Sequence, residues 1–278
     1  MENETIEQSQ VELQPIELRP VESNQTIEAR YRDELLTFFS SGIFLFDTKL
    51  SDTTLDETKI SDNRTNTNPI KLQNALIEYY SNDKLKKLTK RLFDKVSNYH
   101  KSEFDPQVDN LHIDSVDNKV ADIEISQPYQ TYTEQLQFMN YTVIKNLRDD
   151  SIYFIMLSLL MQELFNTPKQ VENQIINNAV NKINERIEII SSDQVIKITQ
   201  GLTIAKCKAL GLNQYKWQTM EDDRVRPTHA ANNQKIFDWD NPPAKTGHPG
   251  TEINCRCKPV VIVDNTRVGN MGNLLDLI

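Results

Sequence analysis

Residues 205–220 read AKCKALGLNQYKWQTM, and the character of the chain changes inside this stretch. Up to Leu210 the apolar residues recur at helical spacing. From Gln214 they alternate, with Tyr215, Trp217 and Thr219 on one side of the backbone and Gln214, Lys216 and Gln218 on the other. Alternation is the pattern of a half-buried strand, whereas a helix repeats every three to four residues. Gly211 separates the two regimes and is a good residue for the position just past a helix C-terminus. The fold class expected is α+β: a mostly helical N-terminal body followed by a small α+β module with a short antiparallel sheet.

Downstream of the strand, Glu221-Asp222-Asp223-Arg224 is a charged turn, and Pro227 can open a short helix through His229 and Ala231. Residues 235–239 suit a second strand, 241–250 form a Pro/Gly loop, and 257–263 (CKPVVIV) suit a third. Trp217 and Trp239 are expected in the core beneath this sheet.

Upstream, residues 130–211 are helical in pattern. Thr167-Pro168-Lys169-Gln170 offers an N-cap, a proline at the first helical position and a capping box. Val171, Ile175, Ala179, Ile183 and Ile187 then form one apolar stripe. Ser191-Ser192-Asp193-Gln194 predicts the start of a separate helix ending at Gly211. Helical patterns also cover 27–46 and 69–102, with a polar loop over 51–69. Residues 103–127 are acidic and contain the alternating VADIEI, which suits a linker or a short strand. The organisation expected is a disordered acidic arm (1–27), a helical and loop-rich region (28–125), a helical bundle or stalk (126–211), the α+β module (212–263) and a tail (264–278).

Composition narrows the class. With 278 residues, 38% of them apolar, the chain can bury a core, while its mean hydropathy of −0.56 implies a good deal of solvated surface. Only 7 glycines disfavour glycine-loop nucleotide folds. Three cysteines disfavour a secreted disulfide scaffold and suit a reducing cytoplasm. The polar, acidic N-terminus lacks the pattern of a signal peptide, and FIMLSLLM (154–161) is far short of the roughly 20 residues a membrane span needs. The net charge of −9 is uneven: residues 1–125 hold 15 Lys/Arg against 24 Asp/Glu, whereas 205–263 hold 9 against 6. A net of +3 on the module is a weak nucleic-acid signal and equally an ordinary solvated surface.

The chemistry-bearing residues gather in that module. Cys255 and Cys257 are two apart on a strand and share a face, with Arg256 pointing away. With His229 and His248 they could form a tetrahedral zinc site. The spacing matches no standard finger, and the alternative is cysteines serving as small buried hydrophobes and histidines hydrogen-bonding the loop. Asp222 or Asp223 with the two histidines could instead serve a metal-dependent hydrolase, but no second acidic cluster completes such a site. A Cys–His nucleophile at Cys255 has less support still, so no catalytic residues and no enzyme are expected. Arg224, Arg226 and Arg256 could grip phosphate or a partner carboxylate, or close an ion-pair network with Asp222, Asp223 and Asp238.

Residues 193–260 resemble the phage Mu protein F-like family of minor head and head-morphogenesis proteins. The resemblance covers about a quarter of the chain. It rests on Tyr215-x-Trp217-x-Thr219, Asp222-Asp223-Arg224-Val225-Arg226-Pro227-x-His229, Ile236-Phe237-Asp238-Trp239-Asp240-Asn241-Pro242-Pro243, Gly247-His248-Pro249-Gly250 and Asn254-Cys255-Arg256-Cys257. It implies a minor structural protein of a tailed phage, prophage or phage-like particle. Such a protein acts in head morphogenesis at the portal or inner capsid, is located in the virion and passes through the host cytoplasm during assembly. Its implied partners are the portal protein, the major capsid protein and packaged double-stranded DNA, with no membrane partner and zinc as the one candidate cofactor. Rival readings are a metal-dependent nuclease on the His/Asp/Cys set and a DNA-binding ejection protein. Asn233-Gln234 departs from the glycine common in relatives and predicts a different turn there. The fifteen residues after Val263 leave no room for a C-terminal effector.

Overall fold

The computed structural model describes residues 14–51, 69–111, 124, 126–165 and 169–264. Five long helices form the body: α1 (Gln25–Ser51), α2 (Pro69–Tyr79), α3 (Asn82–Asp109), α4 (Gln127–Phe165) and α5 (Lys169–Ala209). The sheet follows as β2 (Gln214–Gln218), β3 (Ile236–Asp238) and β4 (Lys258–Val263), with the one-turn helix α6 (Pro227–Ala230) between β2 and β3. A short strand near the N-terminus, β1 (Ile16–Glu17), completes it. The expected α+β class is the observed one.

Each helix buries the stripe its spacing dictates. Tyr31, Leu35 and Phe39 line α1; Leu85, Leu88, Leu92, Val96, Phe104 and Val108 line α3; Tyr129, Leu136, Ile144, Leu147 and Ile155 line α4. α5 is different. Its first half buries one stripe, Ala179, Ile183 and Ile187, but between Val195 and Cys207 nearly every side chain is buried. α1, α3 and α4 all pack against α5, which is the axis of the bundle. Close approach of α4 depends on Gly201, where a Cβ would stand 2.6 Å from Leu136 Cδ2.

Two expectations about the body need correction. The helix start at Ser191-Ser192 does not exist: α5 runs unbroken for 41 residues. Ser191 Oγ donates back to the Glu188 carbonyl within the helix, and Asp193 pairs with Lys197 at 2.7 Å. With those side chains engaged and no Pro or Gly nearby, nothing ends the helix. The capping box at Thr167-Pro168, much of the VADIEI segment, the loop over 52–68 and the tail from 265 lie outside the described residues. The arm expected to be disordered over residues 1–27 is structured from residue 14. Ile16 and Glu17 pair antiparallel with Val263 and Ile262, Leu18 and Val21 are buried, and Asn24 caps α1 by accepting the Ile27 N–H at 3.1 Å.

The strand order is β1-β4-β2-β3, every neighbour antiparallel. β4 is therefore central, and its Val260, Val261, Ile262 and Val263 are all buried, one face toward the module and the other toward the body. Gly211, at φ 65°, ends α5 as expected: Leu212 N–H returns to the Cys207 carbonyl at 2.8 Å and turns the chain into β2.

Candidate functional site

Two long connections on the sheet place the chemistry. The first, 219–235, leaves β2 and returns as β3. Its base is closed by Gln234 N–H to Trp217 O (2.7 Å) and Trp217 N–H to Lys235 O (2.9 Å). Asn233 ties it further, accepting the Thr219 N–H and donating to Glu221 Oε1, each at 3.0 Å. Gln234 sits at φ 62°, the backbone region that favours glycine. The Asn-Gln departure from the family pattern thus leaves a left-handed turn residue in place, occupied by glutamine. Within this excursion, Pro227 opens α6 and points His229 inward.

The second connection, 239–257, rests on α5. Gly250, at φ 79°, lies so close that a Cβ would stand 2.7 Å from Gln200 Cγ. The Asn254 N–H donates to Asp193 Oδ1 at 2.9 Å. The residue expected to cap a helix instead anchors the module to the bundle axis.

The two connections meet at His229, Cys255 and Cys257. His229 Nδ1 is 3.3 Å from Cys255 Sγ and 3.5 Å from Cys257 Sγ, and all three candidate ligand atoms lie within 4.8 Å of one another. Exposures of 2%, 3% and 4% put the trio out of reach of a substrate-sized molecule. The other ring nitrogen, His229 Nε2, is 2.9 Å from Glu252 Oε2. The sulfurs share one hydrogen bond. Cys257 donates to Cys255, and the Gly250 N–H adds a second donor at 3.3 Å, holding the Cys255 thiol well below its usual range. Cys257 is pushed up for the same reason, since its proton is held in that bond. Trp217 packs edge-on to His229, with ring centroids 5.4 Å apart, and its buried indole N–H has no oxygen or nitrogen acceptor.

His248 does not join this group, contrary to the four-ligand expectation. Its Nδ1 is 3.2 Å from Tyr215 Oη and its ring packs against Tyr215 and Trp239. Tyr215 of β2 and Trp239, just past β3, hold it apart from the trio, and burial lowers its pKa.

The arginines are engaged within the module. Arg256 Nη2 donates to both carboxylate oxygens of Asp222, at 2.9 and 2.7 Å, which holds that carboxyl below its usual range. Arg224 also reaches Asp222, by its backbone N–H at 3.2 Å and its guanidinium at 3.4 Å. Arg226 binds Glu252 at 3.2 Å and the Ile253 carbonyl at 2.6 Å. Of the three aspartates expected in an ion-pair network, Asp222 alone pairs with the arginines among the described contacts; Asp223 is an exposed turn residue, and Asp238 bonds Gln214. Trp217 and Trp239 are core residues, 0% and 2% exposed. Glu252, which orients His229 and answers Arg226, was not singled out in the sequence. Its only signal there is a carboxylate three residues before the Cys-x-Cys pair.

A buried His–Cys–Cys centre backed by a carboxylate, set in a small antiparallel sheet leaning on a helical axis, defines a compact structural module. Residues 142–260 match the family described as Phage Mu protein F like protein. The match begins in α4, well before the motif-bearing residues, and takes in the second half of α4 and all of α5. An uncharacterized protein of Haemophilus influenzae is 31% identical over 129 residues, which cover 45% of this chain and 28% of that protein. The chain thus aligns with little more than a quarter of its relative's length. No solved structure matches. No helix among the described residues is long and apolar enough to cross a membrane.

Proposed function

We propose that this protein is a minor structural component of a tailed-phage, prophage or phage-like head, acting in head morphogenesis at the portal or the inner capsid surface. The observation that carries the reading is the Mu F-like match over 142–260, which covers both the His/Cys module and the helical axis that supports it. The site's construction is consistent with a structural task. Its polar groups face one another: Arg256 with Asp222, Arg226 with Glu252, Asn254 with Asp193. Its potential nucleophile is buried, and the histidine pair a hydrolase would have used is separated, His229 held by the cysteines and Glu252 and His248 by Tyr215 and Trp239. DNA contact is not assigned to Arg224, Arg226 or Arg256, each of which has an acidic partner in its own module.

The test is co-expression of the full chain with the portal and major capsid proteins of the same phage, followed by sedimentation of the particles. The reading expects the chain in the particle fraction and no cleavage of duplex DNA with Mg²⁺, Mn²⁺ or Zn²⁺. A chain that stays in the soluble fraction, or metal-dependent cleavage abolished by His229→Ala, overturns it.

A further inference from the structure

We propose that His229 Nδ1, Cys255 Sγ and Cys257 Sγ are protein ligands of one Zn²⁺ ion, with Glu252 as the outer partner of His229 and with His248 excluded. The inference stands on the geometry of the module and does not depend on the head-morphogenesis reading.

The separations fit the ion. Zinc–sulfur bonds of about 2.3 Å and zinc–nitrogen bonds of about 2.05 Å at a tetrahedral angle require N···S separations of about 3.5 Å. The separations found are 3.3 and 3.5 Å. A hydrogen-bonded thiol–imidazole pair needs no third member at the same distance, whereas a tetrahedral ion requires it. The trio also comes from two separate segments, α6 and the approach to β4, which converge on one point. The residue between the cysteines, Arg256, turns the opposite way onto Asp222 and keeps the two sulfurs on one face.

The surroundings match what such a centre requires. A metal-bound histidine almost always gives its other ring N–H to a carboxylate or carbonyl, and Glu252 Oε2 stands 2.9 Å from Nε2. Arg226 balances that carboxylate. Two thiolates and a neutral imidazole around Zn²⁺ carry no net charge, which suits a site this buried. Binding displaces the remaining thiol proton to solvent, together with any proton on Nδ1. The Gly250 N–H already points at Cys255 Sγ at 3.3 Å. The softness of two thiolates selects zinc over Mg²⁺ or Ca²⁺. A small cleft of about 20 Å³, bordered by Met220, Val225, Arg226 and Asn254, opens onto the trio. That is about the room one water needs, and a water there supplies the fourth ligand.

The ion would staple α6 to the 252–257 loop, and through Asn254 and Asp193 to α5. The experiment uses the untagged full-length chain. Plasma mass spectrometry should find about one zinc per chain in the wild type and in His248→Gln, and a loss of at least tenfold in Cys255→Ser/Cys257→Ser. Because the double variant can fail to fold, a second readout uses the wild type alone. After removal of zinc by a chelator, Co²⁺ is added. Intense visible bands of tetrahedral cobalt with near-ultraviolet thiolate charge transfer are expected. A wild type that holds no zinc and gives no such spectrum overturns the proposal. So does a folded double variant that keeps its zinc, or a His248→Gln variant that loses it.

Discussion

Replacing Lys206 by methionine removes a fully buried ammonium from the bundle axis and should destabilise the fold by about 3–5 kcal/mol, the usual cost of stranding the partner of a buried ion pair. Lys206 is 1% exposed and lies against the carboxylates of Asp105, on α3, and Glu124, at 3.2 Å. Asp105 is buried enough that desolvation already raises its pKa despite the ammonium. Without Lys206 that carboxylate has either to remain charged in an apolar setting or to take up a proton. Protonation is easier at pH 5 than at pH 7, so the penalty should be smaller at the lower pH. Asp105→Asn/Lys206→Met removes both buried charges and should recover to within about 1–2 kcal/mol of wild type, because the buried carboxylate goes with its partner and Glu124, which also loses Lys206, keeps Lys101 at 2.7 Å. Urea unfolding followed by circular dichroism reads the effect. With a slope of about 2–3 kcal/mol per molar, the single variant should lose about 1–2 M in midpoint. A loss below about 0.3 M, or a double variant less stable than the single one, would refute the assignment of Lys206 as the counter-ion that makes Asp105 tolerable.

Further outcomes follow from particular contacts. Gly201→Ala should cost about 1–3 kcal/mol, since its Cβ would collide with Leu136, and adding Leu136→Ala should cost less than the two separate losses combined; thermal melting of the three variants checks it. Gln234→Gly should stabilise by about 0.5–1 kcal/mol, as glycine holds φ 62° without the strain a side chain incurs there, and the same melts read the gain. His100, stacked on Phe104 and bonded to Thr203, has its pKa lowered to about 3 by burial and by Lys206. The unfolded chain binds its proton near 6.5 and the folded chain does not, so stability should fall as pH drops from about 6.5 toward 3, at up to about 1.4 kcal/mol per pH unit. His100→Gln should show a shallower acid slope in urea titrations; an unchanged slope would mean the ring is protonated in the fold.

The change of period at Gly211 was legible because tertiary packing follows it directly: β2 buries Tyr215 and Trp217 as their alternation requires. Asp222, Arg256, His229 and the cysteines were legible as a set because they crowd one module. What escaped were choices made by distant partners. Ser191 and Asp193 look like helix starters, yet Asp193 caps a loop sixty residues away. The acidic arm looks unable to fold, yet β4 offers it an open edge, with Glu17 meeting Lys216 and Glu22 meeting Lys258. His248 carries a ligand's side chain but stands among Tyr215 and Trp239. Glu252 gains its role only once α6 delivers His229 beside it. The family match also reaches into α4, where ordinary helical spacing gives a reader no motif to notice.

The most direct test of the structural reading is quantitative mass spectrometry of intact, gradient-purified particles produced by the strain that encodes this chain. Peptides from across 142–260 should be present at a few copies per portal ring, in empty and DNA-filled heads alike, with release only when the shell is opened. Their absence from purified heads, with the protein free in the lysate, would contradict a place in head morphogenesis.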